Sequence, residues 1–507
     1  MAAAPLGAPG TAAGPGRPAQ DGVRAAQAPT ASPRPTAPDL AAGVRQDIAG
    51  LGLRKAVIAV SVRDLRTGEV VVDVAGSQSM LPASNMKLLT TGAALHTLGA
   101  DFRFQTRLLR DGDRLVVHGD GDPSFGDPAL LAQLVYTDAQ GNRHTGMTVD
   151  GLLDRWVDAV RRAGMTRVRE LVVDDRVFDR EFVHPLWPAD QLGNAYCAQV
   201  SGLAFHTNLL HAFVAPSGGR GEITRWAPSA PWLRVVNRSR AADKKAAQTI
   251  WIGRTDDAET FTLNGTIRTA PADPVAVCVH DMPAFFARLL AQRLEDAGVT
   301  VETARTARPE DSSPSGAVIG PVIQMPLATV LLRCNTDSQN LYAESLLKRT
   351  GHARTGAPGS WQNGAAALAA AVDARLGLGT AERSLVVSDG SGLSRGNRVT
   401  ANLLTAWMGS IAADAALRPA FVESLAVAGE TGTVSRRFKD LDTSRVFAPC
   451  KTGYINGVSC LSGFVGPVGA PPRYAFSVLC NELTEKDAVA KAKDLQERVV
   501  KRLAGAL

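Results

Sequence analysis

The sequence has no C-x-x-C pair and no His-Glu-x-x-His, which removes the commonest zinc-ligand spacings. Its six cysteines, Cys197, Cys278, Cys334, Cys450, Cys460 and Cys480, are too scattered for a disulfide framework. Buried free thiols are expected, with a Cys460–Cys480 bridge between neighbouring strands as the alternative. Long hydrophobic runs are also missing. The most apolar stretch, 316–332, is broken by Pro321 and Pro326 and is too short to cross a bilayer. Near the N-terminus nothing resembles the apolar centre of an export signal. Aromatic residues are only 5% of the chain. Basic residues outnumber acidic ones by 55 to 49, a net charge of +6, but no dense Lys/Arg block accompanies it. A nucleic-acid partner is therefore not expected, and any membrane association is at most peripheral. Nothing here asks for a metal or a cofactor.

What remains is a chain of 507 residues, 45% of them hydrophobic, enough for roughly two to four domains or one domain with a large insertion. Residues 1–40 hold eight prolines among Ala and Gly and predict a disordered arm. From Val57 the pattern turns to short strands: 57–63 and 70–74 flank Thr67-Gly68 as a hairpin, and Pro82 introduces a helix beginning near Ser84. Strand-like runs at 105–109, 115–118 and 170–173 accompany a helix at 149–163. Asp281 and Pro283 open another helix that Gly298 closes. The polar stretch 307–316 reads as a domain seam. Beyond it come helices at 337–349 and 364–376, strands at 446–454, 458–465 and 474–480, and a final helix at 486–504 opened by Thr484-x-x-Asp487. This order indicates an α+β fold.

Three short motifs carry chemistry. In Ser84-Asn-Met-Lys87 a serine and a lysine stand three apart on a helix and share a face. The lysine acts as a base near neutrality only if its pKa falls about 3 units from ~10.4, which burial or a second cation promotes. Lys451-Thr-Gly453 supplies that cation in a strand-like run, and its glycine lets a ligand or backbone approach closely. In Ser338-Gln-Asn340 a hydroxyl is available for proton relay and an amide for orienting the lysine and a substrate carbonyl. Gly392-Leu-Ser-Arg-Gly396 spells the α/β-hydrolase elbow, but it lies in a polar Gly-rich loop without the required strand and helix. Gly119-Asp-Gly-Asp-Pro123 lacks the EF-hand spacing and is read as a turn.

The ordered triple S-x-x-K, S-x-N, K-T-G resembles penicillin-binding proteins and serine β-lactamases. Its context is similar to the D-alanyl-D-alanine carboxypeptidase/endopeptidase family (peptidase family S13, the class C low-molecular-mass penicillin-binding proteins). That context includes Leu81-Pro-Ala-Ser84, Asp389-Gly-Ser-Gly-Leu-Ser-Arg395, the Gly-Glu-Thr-Gly-Thr-Val-Ser-Arg run ending at Arg436, and the stretch 187–208. The likeness runs from about residue 45 to the C-terminus. It implies the transpeptidase-like fold of that group: an antiparallel sheet flanked by helices in a catalytic domain, 41–105 with 316–507, and a mixed α/β and β insertion, 106–315.

By the same resemblance, Ser84 is the nucleophile on the penultimate D-Ala carbonyl and Lys87 its general base. Ser338 and Asn340 pass a proton to the leaving D-Ala and hold the amide, and Lys451 favours the terminal carboxylate. Thr452, Gly453 and Tyr454 line the substrate strand, with the Ser84 and Tyr454 N–H groups as oxyanion donors. Asp174 and Phe178 approach the stem-peptide side chain, and Arg395 meets a free carboxylate of a cross-link. Implied partners are peptidoglycan stem peptides and, as covalent inhibitors, β-lactams, with the protein outside the cytoplasmic membrane. Tyr454 departs from the Thr or Ser usual after K-T-G and puts carboxylate recognition in question. Two rival readings are a β-lactamase or esterase on this fold, and a catalytically silent wall-binding relative.

Overall fold

Hydrophobic side chains alternate between two cores along the central strands. Cys460, Phe464, Ala475 and Leu479 point into one, while Leu461, Val465, Phe476 and Val478 point into the other. A strand sends successive side chains to opposite faces, so such runs need cover on both sides. The computed structural model describes residues 36–507 except 138–140, 244, 246 and 256. It supplies that cover with a seven-stranded antiparallel sheet between two helical layers. The path runs Val70–Val74, Val57–Asp64, Tyr474–Asn481, Val458–Pro467, Pro449–Ile455 and Ala426–Val427, with Val446–Phe447 pairing alongside.

One face carries the helices Met86–Leu98, Leu327–Thr336, Asn340–Thr355, Trp361–Leu376 and Ala401–Ala412. The other is covered by the first helix, Ala37–Gly50, and the last, Ala488–Gly505, which Arg502 and Asp47 join in an ion pair. The first helix begins inside the expected arm. Asp39 accepts from the Thr36 N–H, Pro38 suits the first turn, and Leu40 and Val44 are buried. The rest of that expectation, 1–35, lies outside the described residues.

Between the first and second parts of this sandwich the chain builds a separate core. A six-stranded mixed sheet runs Thr300–Thr306, Arg167–Asp174, Arg114–His118, Arg103–Asp111 and Ala317–Val318, with Ile323–Pro326 also on Arg103–Asp111. Helices Val149–Arg162 and Met282–Asp296 pack on it, and Phe125, Trp156, Phe205 and Phe286 cluster beneath them. Asp281 caps its helix by accepting from the Ala284 N–H at 2.9 Å. The seam with the helical layer is polar: the buried Asp127 carboxylate accepts from Tyr342 Oη at 2.5 Å and Arg333 Nη2 at 2.8 Å.

Two local expectations change, and the cysteines take the first of their two expected states. The helix expected over 337–349 starts at Asn340 instead, because Ser338 takes a left-handed φ of 60° and separates it from a preceding helix, Leu327–Thr336, that the sequence did not announce. At the last helix the cap, Asp487, has φ 59° and makes no side-chain cap bond, so the box-like pattern does not operate. All six cysteines are free and buried, and Cys460 pairs across the sheet with Leu479 rather than Cys480.

Candidate active site

Ser84 lies in the single 3-10 turn Ala83–Asn85 that leads into the helix Met86–Leu98, so Lys87 follows one turn later on the same face. The turn is wedged in place. A Cβ on Gly453 would stand 3.1 Å from the Ser84 nitrogen and 2.8 Å from the Pro82 carbonyl oxygen. A Cβ on Gly392 would stand 1.8 Å from the Ala83 carbonyl oxygen, and its φ is +83°. Both glycines are thus required for the Lys451-Thr-Gly453 strand and the 388–397 loop to close on the serine from two sides.

Lys87 is fully buried. Its Nζ stands 3.1 Å from Ser84 Oγ and donates to Asn340 Oδ1 at 2.7 Å and to the Ser391 carbonyl at 3.0 Å. Among the described residues no carboxylate touches it. Burial drives its pKa below the usual lysine range, opposed by the more distant Cys334, Glu344 and Asp389. Lys451, also buried, donates to Ser338 Oγ at 2.9 Å and to the Thr452 carbonyl at 3.1 Å. Burial first, and the Lys87 charge second, pull it down to about 7. Two amines in one dry site resist holding two protons at once.

Ser338 occupies the left-handed position between its helices, a strained conformation for a non-glycine residue that turns its hydroxyl toward Lys451. Asn340 begins the next helix, giving its amide oxygen to Lys87 and its amide N–H to the Tyr196 carbonyl at 2.8 Å. The opening above these groups is a cleft of about 870 Å³ lined by Ser84, Ser338, Asn340, Arg395 and Tyr454, among others. Among the described residues lining it there is no Asp or Glu.

The motif residues therefore meet, although Ser84 and Lys451 are far apart in the chain. Thr452 stands on the same strand with its hydroxyl 2.8 Å from that of Thr433, so the 429–436 segment does border this edge. Tyr454 is 60% exposed at the rim. Arg395 lines the cleft and donates to the Asn456 carbonyl at 2.9 Å. Asp174 and Phe178 stand apart from it. The Asp174 carboxylate is taken up by Arg176, at 2.7 Å, and Phe178 is buried against Gly121 and Gly359. Ser394 of the elbow string is buried in a loop that Asp389 ties together, not on a strand–helix turn.

Sequence reasoning missed Leu186, Pro188, Gln191 and Tyr196, which the inserted region contributes to the cleft. The stretch 187–208 had carried part of the resemblance, but nothing in it told which residues face a ligand. It also missed Glu344, a fully buried carboxylate under the loop 388–397, and gave no structural part to the buried carboxylate of Asp389 within that loop.

The model of the D-Ala-D-Ala carboxypeptidase 3 (S13) family matches residues 40–503. A D-alanyl-D-alanine carboxypeptidase of Actinomadura sp. (strain R39) is 33% identical over 88% of this chain and 84% of its own length. The D-alanyl-D-alanine carboxypeptidase DacB of Haemophilus influenzae is 23% identical over 85% of this chain and 86% of its own. The crystal structure of penicillin binding protein 4 from H. influenzae superposes with a TM-score of 0.69 at 21% identity, over 90% of this chain and 99% of that one. A second crystal structure of that protein holds a β-lactam.

Proposed function

From the premise that this chain belongs to the D-Ala-D-Ala carboxypeptidase 3 (S13) family, we propose how its residues divide the work of a serine-type D-Ala-D-Ala carboxypeptidase. Lys87, uncharged, takes the proton of Ser84 as the hydroxyl oxygen attacks the penultimate D-Ala carbonyl. The Ser84 and Tyr454 N–H groups hold the oxyanion, a role typically worth ~10²–10³ in rate per donor. The C–N bond then breaks, and the leaving amine takes a proton through Ser338. Water hydrolyses the ester left on Ser84. Asn340 aims Lys87 and the substrate amide, while Lys451, Thr452 and Gly453 form the strand along which the peptide lies, its carboxylate drawn by the Lys451 charge.

The observation that carries this reading is the bond between a buried lysine and the Ser84 hydroxyl with no carboxylate to keep the amine charged. Peptidoglycan stem peptides are the proposed substrates, met outside the cytoplasmic membrane. Among the described residues no helix is long and apolar enough to cross one. The proposal includes the division into a catalytic part, 41–105 with 316–507, and an inserted part, 106–315; the inserted sheet has a core of its own, while Ala317–Val318 and Ile323–Pro326 pair into that sheet and Trp187, Cys197 and Leu209 pack into the core of the helical layer. Because no Asp or Glu stands among the described residues lining the cleft to activate a deacylating water, β-lactam adducts should clear slowly.

Intact-mass measurement after incubation with penicillin tests the assignment. A persistent adduct on the wild type and none on Ser84→Ala is expected. An adduct that survives on Ser84→Ala would overturn Ser84 as nucleophile, and rapid drug turnover would overturn the peptidase in favour of a β-lactamase.

A further inference from the structure

Glu344 lies one helical turn beyond Asn340, on the same face of the helix Asn340–Thr355, and is fully buried. Every bond to its carboxylate comes from a neutral donor. Oε1 accepts from the Ser391 N–H at 2.8 Å, and Oε2 accepts from the Gly390 N–H at 2.8 Å and from Trp361 Nε1 at 2.9 Å. The carbonyls of those two residues point the other way, to the serine helix. Gly390 accepts from Thr90 Oγ1 at 2.7 Å and Ser391 accepts from Lys87 Nζ at 3.0 Å. Two consecutive residues are thereby stretched between a buried carboxylate and the catalytic helix. The loop cannot slide, since a Cβ on Gly390 would meet the Ala343 carbonyl oxygen at 2.7 Å and Gly392 is wedged against Ala83.

We propose that Glu344 is a positioning residue for Lys87: it fixes the Ser391 carbonyl that, together with Asn340, aims the lysine amine at Ser84. This rests on the reading of Lys87 as the base. The arrangement has a chemical point. A carboxylate bonded directly to Lys87 would hold it charged, whereas a backbone carbonyl accepts from a neutral or a charged amine alike. Glu344 supplies rigidity through two peptide groups and keeps its charge one layer away. The other charged or titratable groups facing Lys87 are Cys334, Asp389 and Lys451. Asp389 does not substitute for Glu344, because its carboxylate accepts from Gly392, Ser394, Asn397 and Trp187 rather than from Ser391.

The test compares wild type with Glu344→Gln and Glu344→Asp, following the penicillin acylation rate against pH and the Tm. A glutamine has one acceptor oxygen for two backbone N–H groups, so the loop shifts. Acylation of the folded protein is expected to fall roughly ten- to hundredfold, the scale of a 1 Å misplacement. Burial and the neighbouring Asp389 push the Glu344 carboxyl up to about 7, so above that pH its negative charge raises the Lys87 pKa, and without it the rising pH limb is expected to move to lower pH. Glu344→Asp keeps the charge but not the reach, so the rate should fall while the limb stays; it also serves if the glutamine variant does not fold. A lower Tm with unchanged rate and limb would make Glu344 merely structural and overturn the proposal. Absence of any Ser84 adduct on the wild type would instead overturn the functional reading beneath it.

Discussion

Lys87 and Lys348 are both sealed from solvent, on neighbouring helices of the same layer, yet their surroundings differ in kind. Lys348 meets an opposite charge: its Nζ stands 2.6 Å from Asp179 Oδ1, with a further bond to the Glu181 carbonyl and the Trp361 ring face 3.9 Å away. Lys87 meets only an amide oxygen, a carbonyl and a hydroxyl. The first arrangement ties the 179–187 segment to the helical layer and depends on the amine being charged. The second tolerates either protonation state. Charge built for cohesion is paired with charge, and charge built for chemistry is surrounded by dipoles, with carboxylates such as Glu344 held one layer back.

Pairs of the cohesive kind run through both regions: Arg169 with Asp113 at 3.2 Å, Arg305 with Asp311 at 2.5 Å and the Arg167–Glu302 pair in the inserted region, and Arg437 with Glu497 at 2.9 Å and Arg375 with Asp414 at 3.3 Å outside it. Those at the surface are worth little individually.

The strongest way to break the comparison is to substitute at Lys87. Lys87→Arg keeps a cation but cannot become a neutral base, so acylation by penicillin should slow at least about a hundredfold. Stopped-flow rates near the wild-type value would erase the distinction drawn here. A smaller effect is expected from Lys348→Met, which leaves Asp179 without its partner. Because Asp179 is partly exposed and regains water, the cost should be about 2–3 kcal/mol of stability, below that of a fully buried pair. Acylation per folded molecule should hardly change. A denaturation midpoint that does not move, or an acylation rate that collapses, would show the two lysines to be less different than their contacts suggest.

Much of the candidate site was legible because its residues stand at short, fixed spacings. Ser84 and Lys87 share a helix face, Ser338 and Asn340 flank a helix start, and Lys451 and Gly453 alternate on a strand. The hairpin and the three late strands were legible as short apolar runs bounded by turn residues. What the sequence hid has physical reasons. Glu344 acts through backbone N–H groups 46 residues away, which leave no side-chain signature. Leu186 and Tyr196 reach the cleft through tertiary packing of the inserted region. The helix Ala401–Ala412 is apolar on most sides, with Leu403, Leu404, Trp407, Met408 and Ile411 all buried, so no stripe announced it. The left-handed turn at Ser338 moves the start of the next helix to Asn340, and a serine does not announce that backbone conformation.

The central claim is that Lys87 is poised uncharged beside Ser84. The most direct test is the second-order rate of penicillin acylation of the wild type, followed by intact mass or stopped flow across pH. If burial holds the paired amines Lys87 and Lys451 below their ordinary range, the rate should rise with pH along a limb centred well below the ~10.4 of a free lysine. A limb centred near ~10.4 would mean that Lys87 titrates as an ordinary lysine and would contradict the account.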